Sequence, residues 1–304
     1  MADLVSTRRS IFVSSRILIA RHPLAAYFTI AFLGTWLVDL PIVLGQDGLG
    51  LMGYQFPLAP YLILFILSFF AGPTLGAILV TGALEGKPGV RAFFRRYVQW
   101  RIHPRWYLLA LLGVPLIYFI SAAIWLGADI LRELGTNWMA ALTVYLPAVL
   151  LFPAVLTWGE EPGWRGFALT QMQLRYHPII ASLVVGFFNG IWRLPIFLIA
   201  NKPLGLGPFH PASFAINVAA IMMVSIIWTW VFNNASGSIL MAVLLHAAFN
   251  ASQIWIVDVA PNFPVAAGYT SLGIFLVIAV NIGMSQANLG YRPNRQDRGG
   301  VGGP

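Results

Sequence analysis

Eight long apolar stretches restrict the folds that this chain can adopt. They lie near residues 23–45, 58–84, 106–128, 138–158, 178–200, 213–233, 237–259 and 264–284. About 20 consecutive apolar residues suffice for a helix to cross the hydrocarbon core of a bilayer, and a helix satisfies its own backbone hydrogen bonds there. Because 59% of the 304 residues are hydrophobic and only 9% are charged, a soluble domain is excluded. We predict an all-α protein, a polytopic bundle of eight transmembrane helices.

The basic residues predict the orientation of this bundle. With the N-terminus inside, 15 of the 18 Lys and Arg residues fall in inner segments, and only Arg132 and Lys202 fall in outer loops. An excess of Lys and Arg in cytoplasmic loops is the usual determinant of orientation, so both termini are predicted inside. The same distribution explains the net charge of +8, and we therefore expect no nucleic-acid partner.

Three segments outside the apolar stretches have distinct compositions. Residues 1–22 and 85–105 mix basic and apolar side chains, which predicts interfacial helices on the inner side. Docking of anionic lipid or of a partner on residues 85–105 is the functional alternative. The tail from residue 286 is rich in glycine and has little to bury, so disorder is predicted.

Two acidic residues and one basic residue end the fourth apolar stretch. A charge within a membrane helix costs about 2.5–3.5 kcal/mol, so such a cluster is a candidate functional site. Glu161 and Arg165 are four residues apart and can pair on one helical face. Glu160 is turned about 100° away from that face, and we interpret it as the acid that is free of a structural ion pair. Pro162 and Gly163 break the helical ladder, which indicates access of water. The alternative is a juxtamembrane helix start with solvated acids.

Two further polar pairs lie within apolar stretches at the same spacing of four residues. Asn189 and Arg193 share a face just before Pro195, and we expect Arg193 to face the bundle interior and meet a carboxylate; snorkelling to an interface is the alternative. His246 and Asn250 share a face and could hold a water, an oxyanion or a metal. The alternative for His246 is a packing residue. We expect Glu160, Arg193, His246 and Asn250 to converge on one polar cavity.

These motifs carry a resemblance to a known family. In order and spacing they are similar to the three motifs of the CPBP family of intramembrane proteases, which includes CAAX prenyl endopeptidases and bacteriocin-immunity proteins. The resemblance covers about residues 138–260 and is carried by 160–166, 192–195 and 246–250.

The resemblance implies an activity and a set of roles. It implies an intramembrane endopeptidase that hydrolyses a peptide bond with glutamate-activated water. Glu160 would be the general base, Glu161 and Arg165 an orienting pair, and His246 and Asn250 the stabilisers of the oxyanion. The implied partners are membrane lipid and a peptide or protein substrate. The implied location is a bacterial plasma membrane, as a multi-pass protein.

The second motif departs from the family pattern. Asn189 and Arg193 stand where the family usually has Phe and His, and arginine acts neither as a base nor as a metal ligand. Either Glu160 works with Arg193 as an electrostatic stabiliser, or the chain has lost proteolysis and binds a peptide or confers immunity to a bacteriocin. A transporter is a third alternative, although no inverted repeat is recognisable.

The departure also affects the expected cofactor. The sequence has no cysteine, so a thiolate zinc site is excluded. Zinc is suggested by the family label alone, because one histidine with a carboxylate and an amide is a poor ligand set for it. The residues themselves therefore predict no definite cofactor.

Three regions are expected along the chain. Residues 1–137 would form the N-terminal interfacial helix and three membrane helices with the basic loop. Residues 138–260 would form the protease-like core, and residues 261–304 the last membrane helix and the cytoplasmic tail.

Overall fold

A computed structural model describes residues 16–200, 202, 209–260 and 265–292. These residues form an all-α structure with eight helices long and apolar enough to cross a membrane. The predicted fold class is confirmed, and the chain is a multi-pass membrane protein. The spans are α1 (Pro23–Leu44), α2 (Leu58–Val98), α3 (Pro104–Leu126), α4 (Ala141–Gln173), α5 (Pro178–Leu198), α6 (Pro211–Asn234), α7 (Ile239–Val259) and α8 (Ala267–Ser285).

Two helices extend well beyond the apolar stretches that predicted them. α2 continues past residue 84 through a kink at Gly86, whose φ of 65° and ψ of −159° are not helical. The helix that follows this kink corresponds to the interfacial helix predicted between residues 85 and 105. α4 continues past residue 158 as far as Gln173, so the candidate site lies within a helix and not at the start of one.

The prediction for the C-terminal end of the chain is wrong in part, and that for the first 15 residues is not tested. Residues 1–15 of the predicted interfacial helix and residues 293–304 of the predicted tail lie outside the described residues. Residues 286–292 are ordered, because Leu289 is fully buried and its carbonyl accepts a hydrogen bond from Asn233. The prediction of disorder from residue 286 is therefore wrong for these seven residues.

Two apolar clusters form the interior of the bundle. One joins α1, α2, α4 and α5, with Tyr27, Phe69 and Trp164 among its fully or almost fully buried members. The other joins α3, α6, α7 and α8 around residues such as Trp228 and Phe275. α7 contributes to both clusters. Polar groups on α7 therefore lie between the two halves of the bundle.

α4 departs from a regular α-helix on both sides of the turn that carries Glu160 and Glu161. The backbone is π-helical at Pro153–Thr157 and again at Pro162–Leu169. Short π-helical segments are frequent at functional sites because they re-aim side chains without ending the helix. Pro162 and Gly163 were expected to break the helix, but the chain passes through them as a π-helix instead.

Glycines allow α4 to approach α2 closely. A Cβ added at Gly159 would lie 2.7 Å from the Phe69 Cβ, and one added at Gly163 would lie 2.5 Å from the Pro73 Cβ. The Thr74 hydroxyl contacts the carbonyls of Trp158 and Gly159 at 3.0 and 2.9 Å. Small residues permit such backbone contact between membrane helices, and the hydroxyl satisfies carbonyls that the irregular helix leaves free.

This contact generates a prediction about stability. Gly163→Ala should destabilise the fold by about 1–3 kcal/mol, because the added methyl group collides with the Pro73 backbone. Gly135→Ala is the matched control, since nothing lies within 4 Å of its Cβ and alanine favours a helix. The free energy of unfolding of the two variants is measured in mixed detergent micelles. Equal stability of the two variants would contradict the close contact.

The orientation can be tested in a chain without native cysteines. Leu51, 67% exposed in the loop after α1, should be outside when changed to cysteine; Tyr176, 50% exposed in the loop after α4, should be inside. We expect a membrane-impermeant maleimide to label Leu51→Cys in intact cells and Tyr176→Cys only after lysis. The reverse pattern would contradict the predicted orientation.

Candidate functional site

The first half of the candidate site is an ion pair between α4 and α5. Arg193 Nη2 donates to Glu160 Oε2 at 2.6 Å. The Glu160 side chain is 2% exposed and that of Arg193 is 22% exposed. The prediction that Arg193 meets a carboxylate is confirmed, and the snorkelling alternative is wrong. The interpretation of Glu160 as the free acid is also wrong, because it is buried and paired.

The end of a helical segment positions Arg193. The regular helix of α5 ends at Trp192, and Pro195 prevents the usual hydrogen bonding at this point. Trp36 Nε1 of α1 donates to the Trp192 carbonyl at 3.0 Å, and Arg193 Nε donates to Asn189 Oδ1 at 3.3 Å. The Trp192 carbonyl at the break in α5 thus receives a hydrogen bond from α1. The Arg193 guanidinium is held by Asn189 on one side and by Glu160 on the other.

The second half of the site surrounds Glu161. Arg165 Nη1 donates to Glu161 Oε1 at 3.2 Å, and His246 Nδ1 of α7 lies 2.7 Å from the same oxygen. The Glu161 side chain has no exposed surface, and that of Arg165 is 4% exposed. The predicted Glu161–Arg165 pair is confirmed. The alternative of solvated acids at a juxtamembrane helix start is wrong.

This contact decides which His246 nitrogen is available for chemistry. A carboxylate can only accept hydrogen bonds, so the Nδ1 of His246 carries the hydrogen that faces Glu161. The Nε2 of the same ring then accepts a proton when the ring is neutral and donates a hydrogen bond when it is charged. The Nε2 can therefore accept a proton from an attacking water or donate a hydrogen bond to a developing oxyanion.

The structure brings together five of the six predicted site residues, but not around one group. His246 was expected to act together with Glu160, and it contacts Glu161 instead. Asn250 lies one turn beyond His246 on α7 and is partly buried. Among the described residues, no hydrogen bond joins its amide to either glutamate. The site is thus two adjacent ion-paired clusters, one on each glutamate.

Aromatic side chains that sequence reasoning missed enclose the two clusters. Tyr27 of α1 is fully buried and interacts electrostatically with Arg165, Glu161 and Glu160. Its ring packs edge-on against Trp164 at 5.9 Å, and Trp164 packs against Trp192 at 5.7 Å. Trp164 and Trp192 lie within the motif segments 160–166 and 192–195, so the sequence does point to them. A tyrosine in an apolar stretch gives no such signal.

The donor set does not fit a metal ion. No group of three His, Cys, Asp or Glu side chains that could hold one occurs in the described part of the chain. Both glutamates are engaged by arginines, and the Arg193 guanidinium would repel a cation beside Glu160. Catalytic zinc usually takes three protein ligands, so we derive no chemistry through zinc.

Comparison with known proteins finds a family that this region resembles. Residues 138–252 match the model of the type II CAAX prenyl endopeptidase Rce1-like family, and these residues include all three motifs. The predicted resemblance is thereby confirmed. CAAX prenyl protease 2 of Methanococcus maripaludis is 25% identical to the chain over 159 residues. That match covers 48% of this chain and 57% of the relative.

The Glu160–Arg193 pair predicts a strong energetic coupling. Arg193→Gln should destabilise the fold by about 3 kcal/mol, because it leaves a buried carboxylate without its cation. Glu160→Gln combined with Arg193→Gln should lose much less than the two single losses together. The free energy of unfolding in detergent micelles is measured for the wild type, the two single variants and the double variant, which together form a double-mutant cycle. Additive losses would show that the two side chains are not coupled.

Proposed function

We propose that this chain is an intramembrane endopeptidase that hydrolyses a peptide bond with water activated by Glu160. The observation that supports it most is the meeting of the three motif segments from α4, α5 and α7 within an Rce1-like domain. The substrate class is a peptide or protein that reaches the site within the membrane. We further propose a bacterial plasma membrane as the location, and residues 138–260 as the catalytic core.

Each residue has a role in this proposal. Glu160 takes a proton from water as the water oxygen attacks the scissile carbonyl carbon, and later passes that proton to the leaving amine. His246 and Asn250 stabilise the charge on the carbonyl oxygen, and the Glu161 carboxylate fixes the imidazole for this task. Arg165 holds Glu161 in turn.

Arg193 has two opposing effects on the reaction. Its ion pair opposes proton transfer to Glu160, because a proton on the carboxylate would weaken the 2.6 Å contact. The same cation can stabilise negative charge that develops in the tetrahedral intermediate. General-base and oxyanion contributions are each worth on the order of 10²–10³ in rate. We propose that the first effect prevails and that turnover is slow.

The second candidate function is a membrane peptide-binding or bacteriocin-immunity protein with impaired catalysis. The observation that favours it is the engagement of Glu160 by Arg193 in place of a histidine. On this alternative the buried cluster stabilises the fold, and the domain binds a peptide without cleaving it.

Cleavage of a peptide library in liposomes separates the two functions. We expect slow cleavage by the wild type, none by Glu160→Ala, and faster cleavage by Arg193→His, because histidine restores a base beside Glu160. Arg175→His is the matched control, since Arg175 is exposed and lies outside the site. It should leave the rate unchanged.

Two other results would redirect the proposal. Robust wild-type turnover that falls in Arg193→His would mean that arginine has replaced histidine in a working site. Peptide binding without cleavage by any of these variants would favour the non-catalytic function.

A further inference from the structure

A basic groove lies at the kink of α2, on a part of the chain that the candidate site does not use. The groove has a volume of about 820 Å³, and its lining includes Lys87, Arg91 and Arg95 together with Gly86. Gly86 adopts a left-handed backbone conformation, with φ of 65°, which an L side chain rarely adopts. The glycine thus permits the bend at which the groove opens.

The three cations of the groove lie on one helical face. Lys87, Arg91 and Arg95 follow one another at intervals of four residues, and all three are exposed. Like charges at this spacing destabilise a helix. Within the described ranges, none of the three forms an ion pair. Bound negative charge would remove this repulsion.

Neighbouring groups add to the positive charge of the groove. Arg16 Nε donates to the Ala83 carbonyl at 2.9 Å, which places a fourth cation beside the groove. Glu85 is the acidic residue of the segment 82–95, and it is not part of the lining. Its side chain lies against Gly89 of the same helix, and it also interacts electrostatically with Arg96. The groove is therefore complementary to an anion.

The position of the groove identifies the source of that anion. It follows the apolar stretch of residues 58–84, at the end of a membrane span. Phe94 lies between Arg91 and Arg95, and Val98 and Trp100 follow the groove. All three are exposed, as in segments that lie in the headgroup region of a bilayer. We propose that this groove binds the phosphate headgroup of an anionic phospholipid.

The groove is attached to the segment that carries the acidic motif. Arg96, the residue after Arg95, donates to the carbonyls of Gly166 and Gly237, both at 2.9 Å. Gly166 belongs to the π-helical part of α4, and Gly237 lies in the turn between α6 and α7. A headgroup in the groove would thus bind an element that ties α2 to three other spans. Binding should raise the thermal stability of the whole bundle.

Lipid titration of the purified full-length protein tests the proposal. The thermal unfolding midpoint is measured in detergent during titration with phosphatidylglycerol, phosphatidylcholine or inorganic phosphate, and native mass spectrometry counts the retained lipids. We expect phosphatidylglycerol alone to raise the midpoint of the wild type at low concentration. The triple variant Lys87→Gln/Arg91→Gln/Arg95→Gln should bind it roughly a hundredfold more weakly, since each basic residue near an anionic surface contributes ~1 kcal/mol.

A matched variant separates the groove from general surface charge. Arg21→Gln/Arg101→Gln/Arg105→Gln also removes three exposed cations, but none of them lines the groove. It should retain the phosphatidylglycerol response of the wild type. Unfolding midpoints without lipid show whether each variant is folded.

Three results would overturn the proposal. They are equal weakening in both triple variants, equal stabilisation by phosphatidylcholine, and inorganic phosphate matching phosphatidylglycerol in affinity. The last would assign the groove to a free anion instead of a lipid.

Discussion

Two adjacent carboxylates buried in the middle of a membrane bundle must each have a cation, and much of the structure follows from this need. Glu160 and Glu161 point to different neighbours because consecutive helical residues are turned by about 100°. Their cations therefore come from different places, Arg193 from α5 and Arg165 from the next turn of α4. An unpaired buried charge would cost several kcal/mol, so the pairing fixes α4 against α5.

The backbone of α4 meets this need by departing from a regular helix. One of its π-helical segments, Pro162–Leu169, begins directly after the two glutamates. The glycines on either side of the pair let α2 approach closely enough for Thr74 to reach carbonyls of α4. Helix irregularity in a membrane is tolerated only where protein or water satisfies the freed groups. The site and the close α2–α4 contact thus depend on each other.

Local spacing made part of this arrangement predictable from the sequence. The eight spans follow from the length of the apolar stretches, and the Glu161–Arg165 pair follows from the interval of four residues. The assignment of His246 to Glu161 did not follow, because no spacing rule says which of two neighbouring acids another helix will face. Tyr27 gave no signal for the same reason. The helix after residue 84 was predicted, but its continuity with α2 was not, because a glycine kink joins two helices of different composition.

The charge balance of the site bears on what arginine does at position 193. Glu160, Glu161, Arg165 and Arg193 carry two negative and two positive charges, so with a neutral His246 the cluster has no net charge. A neutral histidine at position 193 would leave one carboxylate without a cation in a low-dielectric environment, which is costly but leaves that carboxylate free to take a proton. With arginine at this position, Glu160 has a compensating cation but is less free to act as the base that we propose. On the proposed mechanism, stability and reactivity impose opposite demands on this single position, because the ion pair that holds α4 to α5 is the one that a proton transfer to Glu160 would weaken.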